Sequence, residues 1–413
     1  MKKSTRTLVL ASSFAMTLSL AACNSATADA SSLKVGLILL HPAASSTYDK
    51  NFYDAMVSAK EKLGFTLVVK ENINEDGTCE TTAKEMAEDG CDIVFADSFG
   101  HEDFLIQAAK AYPDVEFCHA TGTKAATVNN DPTAPVKNFH NAFASIYEGR
   151  YLAGVAAGLK LKEMGTTNHN IGYVGAFPYA EVKSGYTSFY LGVKSIISDV
   201  TMDVVFTGSW YDEAGEKSAA INLIDNYNVA LVSQHADSMG APTACEQKNI
   251  PNVSYNGSTE NACPNTFVVS SKINWQPYFE YCFDQIAESK AIDTDWSGKL
   301  GSTLYDGSVA LTTLGKAAAA GTEAKLNEVA AKLRDGSLKV FDCSTFTVTN
   351  KETGKSEHLT SYMADVNTDS EFTPDTEVIK TEGGVTYFAE SEYRSAPYFD
   401  IDIDGITVRT QSN

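Results

Sequence analysis

Hydrophobic positions along the chain follow two alternating periods from Leu33 onward. Leu33–Leu40 is a continuous apolar run, typical of a strand buried on both faces, and Asn51–Leu63 carries apolar residues at helical spacing. The same succession predicts further strands at 66–69, 91–96 and 115–119 and helices at 81–88 and 102–111. Strands that are apolar on both faces and alternate with helices indicate a parallel sheet covered by helices.

The alternation of strand-like and helix-like segments begins again in the second half of the chain. It predicts helices at 146–161, 183–197, 214–226 and 278–289, strands at 170–175, 202–207, 229–233 and 266–270, and short segments at 239–246 and 253–255. Beyond about Asp335 the chain is richer in Thr, Ser, Asp and Glu, and strands are predicted at 341–348 and 385–388. Two similar halves predict an α/β protein with two Rossmann-like lobes, parallel sheets and a ligand cleft at the carboxyl ends of the strands.

Polar and aromatic residues follow the predicted strands in both halves, in the segments Ser45–Phe52, Asp97–Gly100, Gln234–Asp237, Tyr255–Ser258 and Ser270–Lys272. One interpretation is structural, because Ser, Thr and Asp cap helices that follow strands. The functional interpretation places Tyr48 or Phe52 against a planar ligand and Asp49 or Asn51 at its polar edge. Five such segments at successive strand ends favour a binding site.

The N-terminus predicts export. Lys2, Lys3 and Arg6 precede an apolar run over 8–20, which is too short for a comfortable membrane span. The run ends in Leu-Ala-Ala-Cys, which matches a bacterial lipobox with Cys23 as the lipidated residue. We therefore expect a lipoprotein signal peptide over 1–23, a flexible tether over 24–32, and a protein that is lipid-anchored on the outer side of the bacterial cell membrane.

The net charge of the chain restricts the classes of molecule that it can bind. The net charge of −21 argues against nucleic acid, whose phosphates require a basic surface, and against adsorption to anionic lipid. We expect membrane contact only through the N-terminal lipid. The length of 413 residues suggests two domains.

Motifs of catalysis and metal binding are missing from the sequence. It has no G-x-S-x-G, P-loop, G-x-G-x-x-G, H-E-x-x-H or C-x-x-C. Asp400–Gly405 resembles the first half of a calcium loop, but its twelfth position is Gln411, and the alternation predicts a strand with Phe399, Ile401 and Ile403 inward. We expect no metal and no cofactor. Export permits disulfides, and Cys245–Cys263 is the closest plausible pair.

Several stretches resemble the basic membrane protein (BMP) family of lipoproteins, the substrate-binding components of nucleoside ABC importers. The resemblance rests on YDKNFYDAM (48–56), YPDVEF (112–117), EGRYLAGVAAG (148–158), IGYVG (171–175) and GSWYDEAG (208–215). It implies two lobes joined by a hinge, as in type I periplasmic binding proteins, and a purine nucleoside bound between them.

The resemblance also implies residue roles. Asp49, Asn51 and Phe52 match the first ligand loop of the family, and Lys272 matches a lysine near the ribose. Asn256 lies where many members have a ribose-binding aspartate, and Thr121 lies near another such position. Since an amide holds a diol less firmly than a carboxylate, a free purine base is an alternative ligand. With Trp210 and His235 as the second stacking face, the candidate ligand-binding residues are Tyr48, Asp49, Asn51, Phe52, Ser98, Phe99, Thr121, Trp210, Gln234, His235, Asp237, Asn256 and Lys272.

These observations predict a solute-binding protein rather than an enzyme. We expect lobe 1 over 33–143 with about 270–300, and lobe 2 over 144–269 with about 301–413, including the C-terminal extension. The cleft closes on a purine nucleoside or base, and an ABC permease takes the ligand from a monomeric protein. The alternatives are an exported nucleoside-processing enzyme and a surface lipoprotein or adhesin without a small ligand.

Overall fold

A computed structural model of the chain describes residues 30–366, 369 and 373–410. The predicted signal peptide, the lipidated Cys23 and the first part of the tether lie outside the described residues. The last part of the tether, Ala30–Ser32, forms a 3-10 turn instead of a flexible segment, because Ala30 packs against the adjoining core and its carbonyl accepts a hydrogen bond from Leu33.

Strands and helices alternate along the chain. The helices are α1 (Thr47–Leu63), α2 (Gly77–Glu88), α3 (Glu102–Ala111), α4 (Ala125–Asn129), α5 (Ile146–Met164), α6 (Ala180–Lys194), α7 (Glu213–Tyr227), α8 (Gly240–Lys248), α9 (Gln276–Ala287) and α10 (Thr322–Arg334). The strands are β1 (Lys34–Ile38), β2 (Thr66–Lys70), β3 (Ile93–Ala96), β4 (Glu116–Ala120), β5 (Phe139–Ala144), β6 (Asn170–Gly175), β7 (Thr201–Phe206), β8 (Val232–His235), β9 (Asn252–Tyr255), β10 (Phe267–Ile273), β11 (Asp295–Gly298), β12 (Val309–Leu311), β13 (Val348–Thr349), β14 (Ser356–Glu357), β15 (Met363–Ala364), β16 (Thr376–Glu377), β17 (Ile379–Glu382), β18 (Val385–Phe388) and β19 (Ile406–Arg409).

The first large sheet has the strand order β11-β5-β4-β3-β1-β2, and all its neighbours pair in parallel. We call this sheet and the helices packed on it the first lobe. Strand β5 was missed by the sequence analysis because its run, FHNAFA, contains polar residues. Those residues are nonetheless buried, because each has a polar partner. His140 Nε2 lies 2.7 Å from Glu116 Oε2, and Asn141 Oδ1 accepts a hydrogen bond from the Gly122 amide at 2.7 Å.

The second large sheet has the order β12-β10-β9-β8-β6-β7-β19, and β12 is the antiparallel edge strand. We call this sheet and its helices the second lobe. Strand β19, which lies near the C-terminus, pairs in parallel with β7 through Ile406 and Met202. The α/β architecture with two parallel-sheet lobes is therefore as predicted.

Within the described residues, the chain passes between the two sheets after β5, after β10 and after β11. Strand β10 belongs to the second sheet as far as Ile273, and α9 then packs beside α1 in the core of the first lobe. Residues that follow strands of both sheets line one common pocket.

Two predicted strands of the tail are wrong. Phe341–Val348 is mostly irregular, because Phe341 and Phe346 are anchored in the second-lobe core rather than paired in a ladder. The segment 399–403 is also unpaired, although Phe399, Ile401 and Ile403 are buried as the alternation predicted. Asp400 and Asp402 both contact the Lys183 ammonium, at 2.8 and 3.1 Å.

The cysteines of the described residues are free and buried, so the expected Cys245–Cys263 disulfide is absent from this part of the chain. The two thiols of the expected pair have other hydrogen-bond partners: Cys245 Sγ accepts from Asn252 Nδ2, and Cys263 Sγ donates to Thr259 O. Burial raises the pKa of Cys263 to about 11. Among residues 30–366, 369 and 373–410, no three His, Cys, Asp or Glu side chains are grouped to hold a metal ion. No helix in these ranges has both the length and the apolar character that crossing a membrane requires.

Candidate ligand-binding site

A narrow pocket with about 30 Å³ of free space lies between the lobes, at the carboxyl ends of both parallel sheets. This is where open parallel sheets bind ligands, since the loops after the strands converge there. The pocket is lined by Leu40, His41, Tyr48, Asp49, Ser98, Phe99, Thr121, Glu181, Trp210, His235, Asp237, Tyr255 and Asn256.

The first turn of α1 supplies Tyr48 and Asp49. Ser46 caps this helix by accepting a hydrogen bond from the Asp49 amide at 3.2 Å, so the cap expected from the sequence is present beside the site. Asp49 Oδ1 accepts from the His41 amide at 2.7 Å, and the Tyr48 hydroxyl donates to the Asp97 carbonyl at 2.7 Å. The two side chains are therefore held in place before any ligand arrives.

Behind Asp49 lies a second carboxyl group, that of Asp97. Complete burial, together with the nearby Asp49 carboxylate, raises the pKa of Asp97 well above its usual value. Burial opposes ionisation of Asp49 as well, but hydrogen bonds from His41 and Ser46 outweigh it and lower the Asp49 pKa. The two shifts have opposite directions, so ionisation is favoured at Asp49, the member that lines the pocket, over Asp97.

The second lobe contributes groups from the ends of β8 and β9. His235 Nε2 lies 3.3 Å from Glu181 Oε1, and burial lowers the pKa of His235. Asp237 is buried, and burial followed by the charge of Asp49 raises its pKa. Three buried polar atoms here have no hydrogen-bond partner among the described residues, namely His235 Nδ1, Tyr255 Oη and Asn256 Oδ1. Such atoms call for polar partners, which a ligand or water supplies.

Aromatic rings of both lobes lie in and next to the pocket. Phe99 of the first lobe lies 5.5 Å from Tyr179 of the second, measured between ring centroids. Tyr179 stacks on Phe177 at 5.1 Å, and Phe177 meets Trp210 edge to face at the same distance. Deeper in the pocket, Tyr255 contacts His235 at 4.6 Å. Rings from both lobes thus lie at the pocket, and an aromatic face is suited to stack on a planar ligand.

Two residues that line the pocket have left-handed backbones although they are not glycine. Thr121 has φ 73° and Asn256 has φ 65°. The left-handed region is costly for a β-branched residue such as Thr, and such strain is concentrated at functional sites. Each residue directly follows a strand, β4 or β9.

Contacts across the cleft show that the lobes are close together. Thr47 donates to the Asp237 carbonyl through both its amide, at 2.9 Å, and its hydroxyl, at 3.2 Å. The His41 and Tyr211 rings lie 5.5 Å apart across the same gap. These contacts are of the kind that only a closed cleft can make.

The structure brings most of the candidate residues together: Tyr48, Asp49, Ser98, Phe99, Thr121, Trp210, His235, Asp237 and Asn256 all line the pocket. Phe52 does not. Its helical spacing with Met56 and Ala59 places it on the buried face of α1, where it packs against Trp275 and Phe279 at 5.0 Å. The expectation that Phe52 stacks on a ligand is therefore wrong for this arrangement.

Asn51, Gln234 and Lys272 do not line the pocket either. Asn51 Nδ2 donates to the Ile273 carbonyl at 2.5 Å, which ties α1 to β10. Gln234 precedes His235 on β8 and points to the opposite face, where it accepts from Asn252 at 3.0 Å. Lys272 is half-buried, and burial lowers its pKa while Asp54 on α1 opposes that effect.

Sequence reasoning missed Leu40, His41, Glu181 and Tyr255 as pocket residues. His41 directly follows the predicted first strand, and Tyr255 begins one of the polar segments, so the strand-end rule applied more strictly would have found both. Glu181 lies in the first turn of α6, and no pattern in the sequence distinguishes it from other acidic residues at helix starts.

A known protein family matches most of this chain. The profile of the family described as Bmp, ABC transporter substrate-binding protein PnrA-like, matches residues 33–332. The chain belongs to this family. Members of the Bmp family are ABC transporter substrate-binding proteins, which hold small molecules for a membrane permease.

Individual relatives agree with the family assignment. The chain is 32% identical to a purine-binding protein from Brucella abortus over 270 residues, or 65% of this chain and 71% of the relative. It is 30% identical to an ABC transporter glucose-binding protein from Haloferax volcanii, over 53% of this chain and 52% of the relative. A solved solute-binding protein of an ABC transporter system from Conexibacter woesei has the same fold, with a TM-score of 0.59 at 20% identity, covering 75% of this Bmp chain and 98% of that one.

Proposed function

We propose that this Bmp-family protein captures a purine base or purine nucleoside in the pocket between its lobes and delivers it unchanged to an ABC permease. The observation that carries the proposal is the pocket itself. Its rings, Tyr48, Phe99, Trp210 and Tyr255, come from both lobes and enclose a space that also contains carboxyl, imidazole and amide groups. The purine-binding relative from Brucella abortus supports this choice of ligand.

The charges in the pocket favour an uncharged ligand. Asp49, Glu181 and Asp237 line it, and none of the lining residues in the described part of the chain is Lys or Arg. Phosphate groups require cationic or multiple amide donors, so a nucleotide would meet these carboxyl groups, among which Asp49 has a lowered pKa, instead of a counter-charge. We therefore expect bases and nucleosides to bind and nucleotides to be rejected.

The cellular setting is also part of the proposal. Export through residues 1–23 and a lipid on Cys23 would hold the protein beside its permease as a monomer. No chemical step is proposed, because the ligand has only to be held and released. Binding energy that exists only between the closed lobes would favour closure around the ligand.

A ligand panel tests the proposal. Thermal unfolding and calorimetric titration of the protein purified without its N-terminal 29 residues would be measured with adenine, hypoxanthine, adenosine, inosine, guanosine, AMP, ribose and glucose. A ligand at about 100 times its Kd stabilises the folded state by about 2.7 kcal/mol. We expect a purine base or nucleoside to bind and AMP to give no stabilisation at the same concentration.

Other outcomes separate the alternatives. Glucose as the tightest ligand would favour the function named for the Haloferax volcanii relative. Release of free ribose from inosine or adenosine during the incubation would identify an enzyme. Absence of stabilisation by every compound would favour a surface lipoprotein without a small ligand.

A further inference from the structure

The C-terminal extension, residues 335–413, lies beyond residues 33–332 that match the family. It is built into the second lobe. Strand β19 completes one edge of the second sheet, and the fully buried Phe399 stacks on Phe341 with ring centroids 4.3 Å apart. The described residues of the extension are therefore packed into the second lobe's core rather than forming a tail on its surface.

From this anchor the extension reaches the first lobe at Ser395. The Ser395 amide and hydroxyl donate to the two carboxylate oxygens of Asp295, at 2.6 and 2.5 Å. Asn141 Nδ2 donates to Ser395 Oγ at 3.1 Å and to Asp295 Oδ1 at 2.9 Å. Asp295 and Asn141 face each other across the parallel pair β11 and β5, and Ser395 is only 2% exposed. The contact is thus a buried bond between the lobes, beside the places where the chain itself crosses.

The side-chain amide of Asn141 also contacts residues next to the pocket. Its Oδ1 accepts from the Gly122 amide at 2.7 Å and lies 3.3 Å from His119 Nδ1. His119 Nε2 in turn lies 2.7 Å from the carbonyl of Ser98, a pocket residue. Gly122 directly follows Thr121, the pocket residue with a left-handed backbone. One buried side chain therefore joins the extension on one side to two pocket loops on the other.

We infer that the C-terminal extension positions the first-lobe wall of the binding pocket, with Ser395 and Asn141 as the positioning residues. Ser395 fixes the Asn141 amide, which holds the strained Thr121–Gly122 turn in its binding conformation. The consequence for ligand affinity rests on the proposed function, whereas the effect on the turn does not depend on any ligand.

The test compares two serines of the extension. Ser395→Ala removes the hydroxyl that joins Asp295 and Asn141. Ser344→Ala is the matched control, because Ser344 also donates its amide and hydroxyl to one aspartate, Asp342, at 2.9 and 2.7 Å, but entirely within the extension. Both variants would be made in the same protein that is used for the ligand panel.

Hydrogen exchange of the ligand-free protein gives the first result. We expect the amides of residues 121–122 to exchange about three- to tenfold faster in Ser395→Ala, since both hydrogen bonds of the Ser395 hydroxyl are lost, and at the original rate in Ser344→Ala. Affinity for the ligand identified in the panel should fall by about the same factor in Ser395→Ala alone.

Unchanged exchange at 121–122 in Ser395→Ala would overturn the inference, as would faster exchange spread evenly over both lobes, which would indicate a general loss of stability. If faster local exchange is found while affinity is unchanged, the extension supports the turn without setting binding, and the claim about affinity is overturned. If the unaltered protein binds no compound, the proposed function fails while hydrogen exchange still decides the inference about the turn.

Discussion

The role of an aromatic residue in this protein depends on whether its side chain faces the core or the pocket. Phe52 and Trp210 were both predicted to touch a planar ligand, but Phe52 lies within helix α1 whereas Trp210 lies a few residues after strand β7. Phe52 lies on the inner face of α1 and is 1% exposed, in contact with Trp275 and Phe279. Trp210 lies in the loop after β7 and lines the pocket. One residue stabilises the fold and the other is placed to stabilise the complex.

Substitution should separate these two roles. Phe52→Leu should lower the free energy of unfolding by about 1 kcal/mol, because a ring is lost from a packed core, and should leave the Kd nearly unchanged. Trp210→Leu should weaken binding about tenfold with little loss of stability, since a stacking face is removed. Chemical unfolding and calorimetric titration of both variants check this. Weaker binding in Phe52→Leu alone would reverse the two assignments.

The charge states of the pocket could not be predicted from the sequence. Asp49, Asp97 and Asp237 are identical in type and all follow predicted strands. Only the fold shows that Asp97 is fully buried behind Asp49, which raises the Asp97 pKa, whereas hydrogen bonds from His41 and Ser46 lower the Asp49 pKa. Likewise, no sequence pattern predicted the left-handed backbones of Thr121 and Asn256, because Thr and Asn residues more often have negative φ angles.

At the scale of elements, the hydrophobic pattern was informative where one period held over a whole helix or strand. Helix α3 has the predicted bounds, and most strands of the two sheets overlap predicted runs, whereas β11, β12 and β19 were not predicted. Strand β5 was missed because its polar side chains are paired inside the protein, which a pattern of apolar residues cannot reveal. The tail was misjudged for the opposite reason, since its alternating apolar residues pack into the second-lobe core without joining a ladder.

That packing gives a prediction about the extension. Phe399→Ala should lower the free energy of unfolding by about 3–5 kcal/mol, because it removes a fully buried ring that stacks on Phe341. Val408→Ala is the control on neighbouring β19, where Val408 is 52% exposed, and it should change stability by at most about 0.5 kcal/mol. Denaturant unfolding measures both. Equal and small effects would mean that the extension is not part of the lobe's core.

For the molecule as a whole, the pocket exists only because two lobes meet. Tyr48, Asp49, Ser98, Phe99 and Thr121 belong to the first lobe, while Trp210, His235, Asp237 and Asn256 belong to the second. Bonds from Thr47 to the Asp237 carbonyl bring the two sets together. The sequence predicted this meeting through the repeat of α/β halves and the residues at strand ends, but it could not predict how near the lobes come.

The central claim is that a purine base or nucleoside binds between these lobes. A crystal structure of the protein with the tightest ligand of the panel tests it most directly. We predict electron density for the ligand between Trp210 and Asp49, in contact with residues of both lobes and with polar atoms near Asp237 and Asn256. Density for the ligand elsewhere, for example in the separate cavity lined by Glu148 and Glu390, with the pocket between the lobes holding only water, would contradict the account.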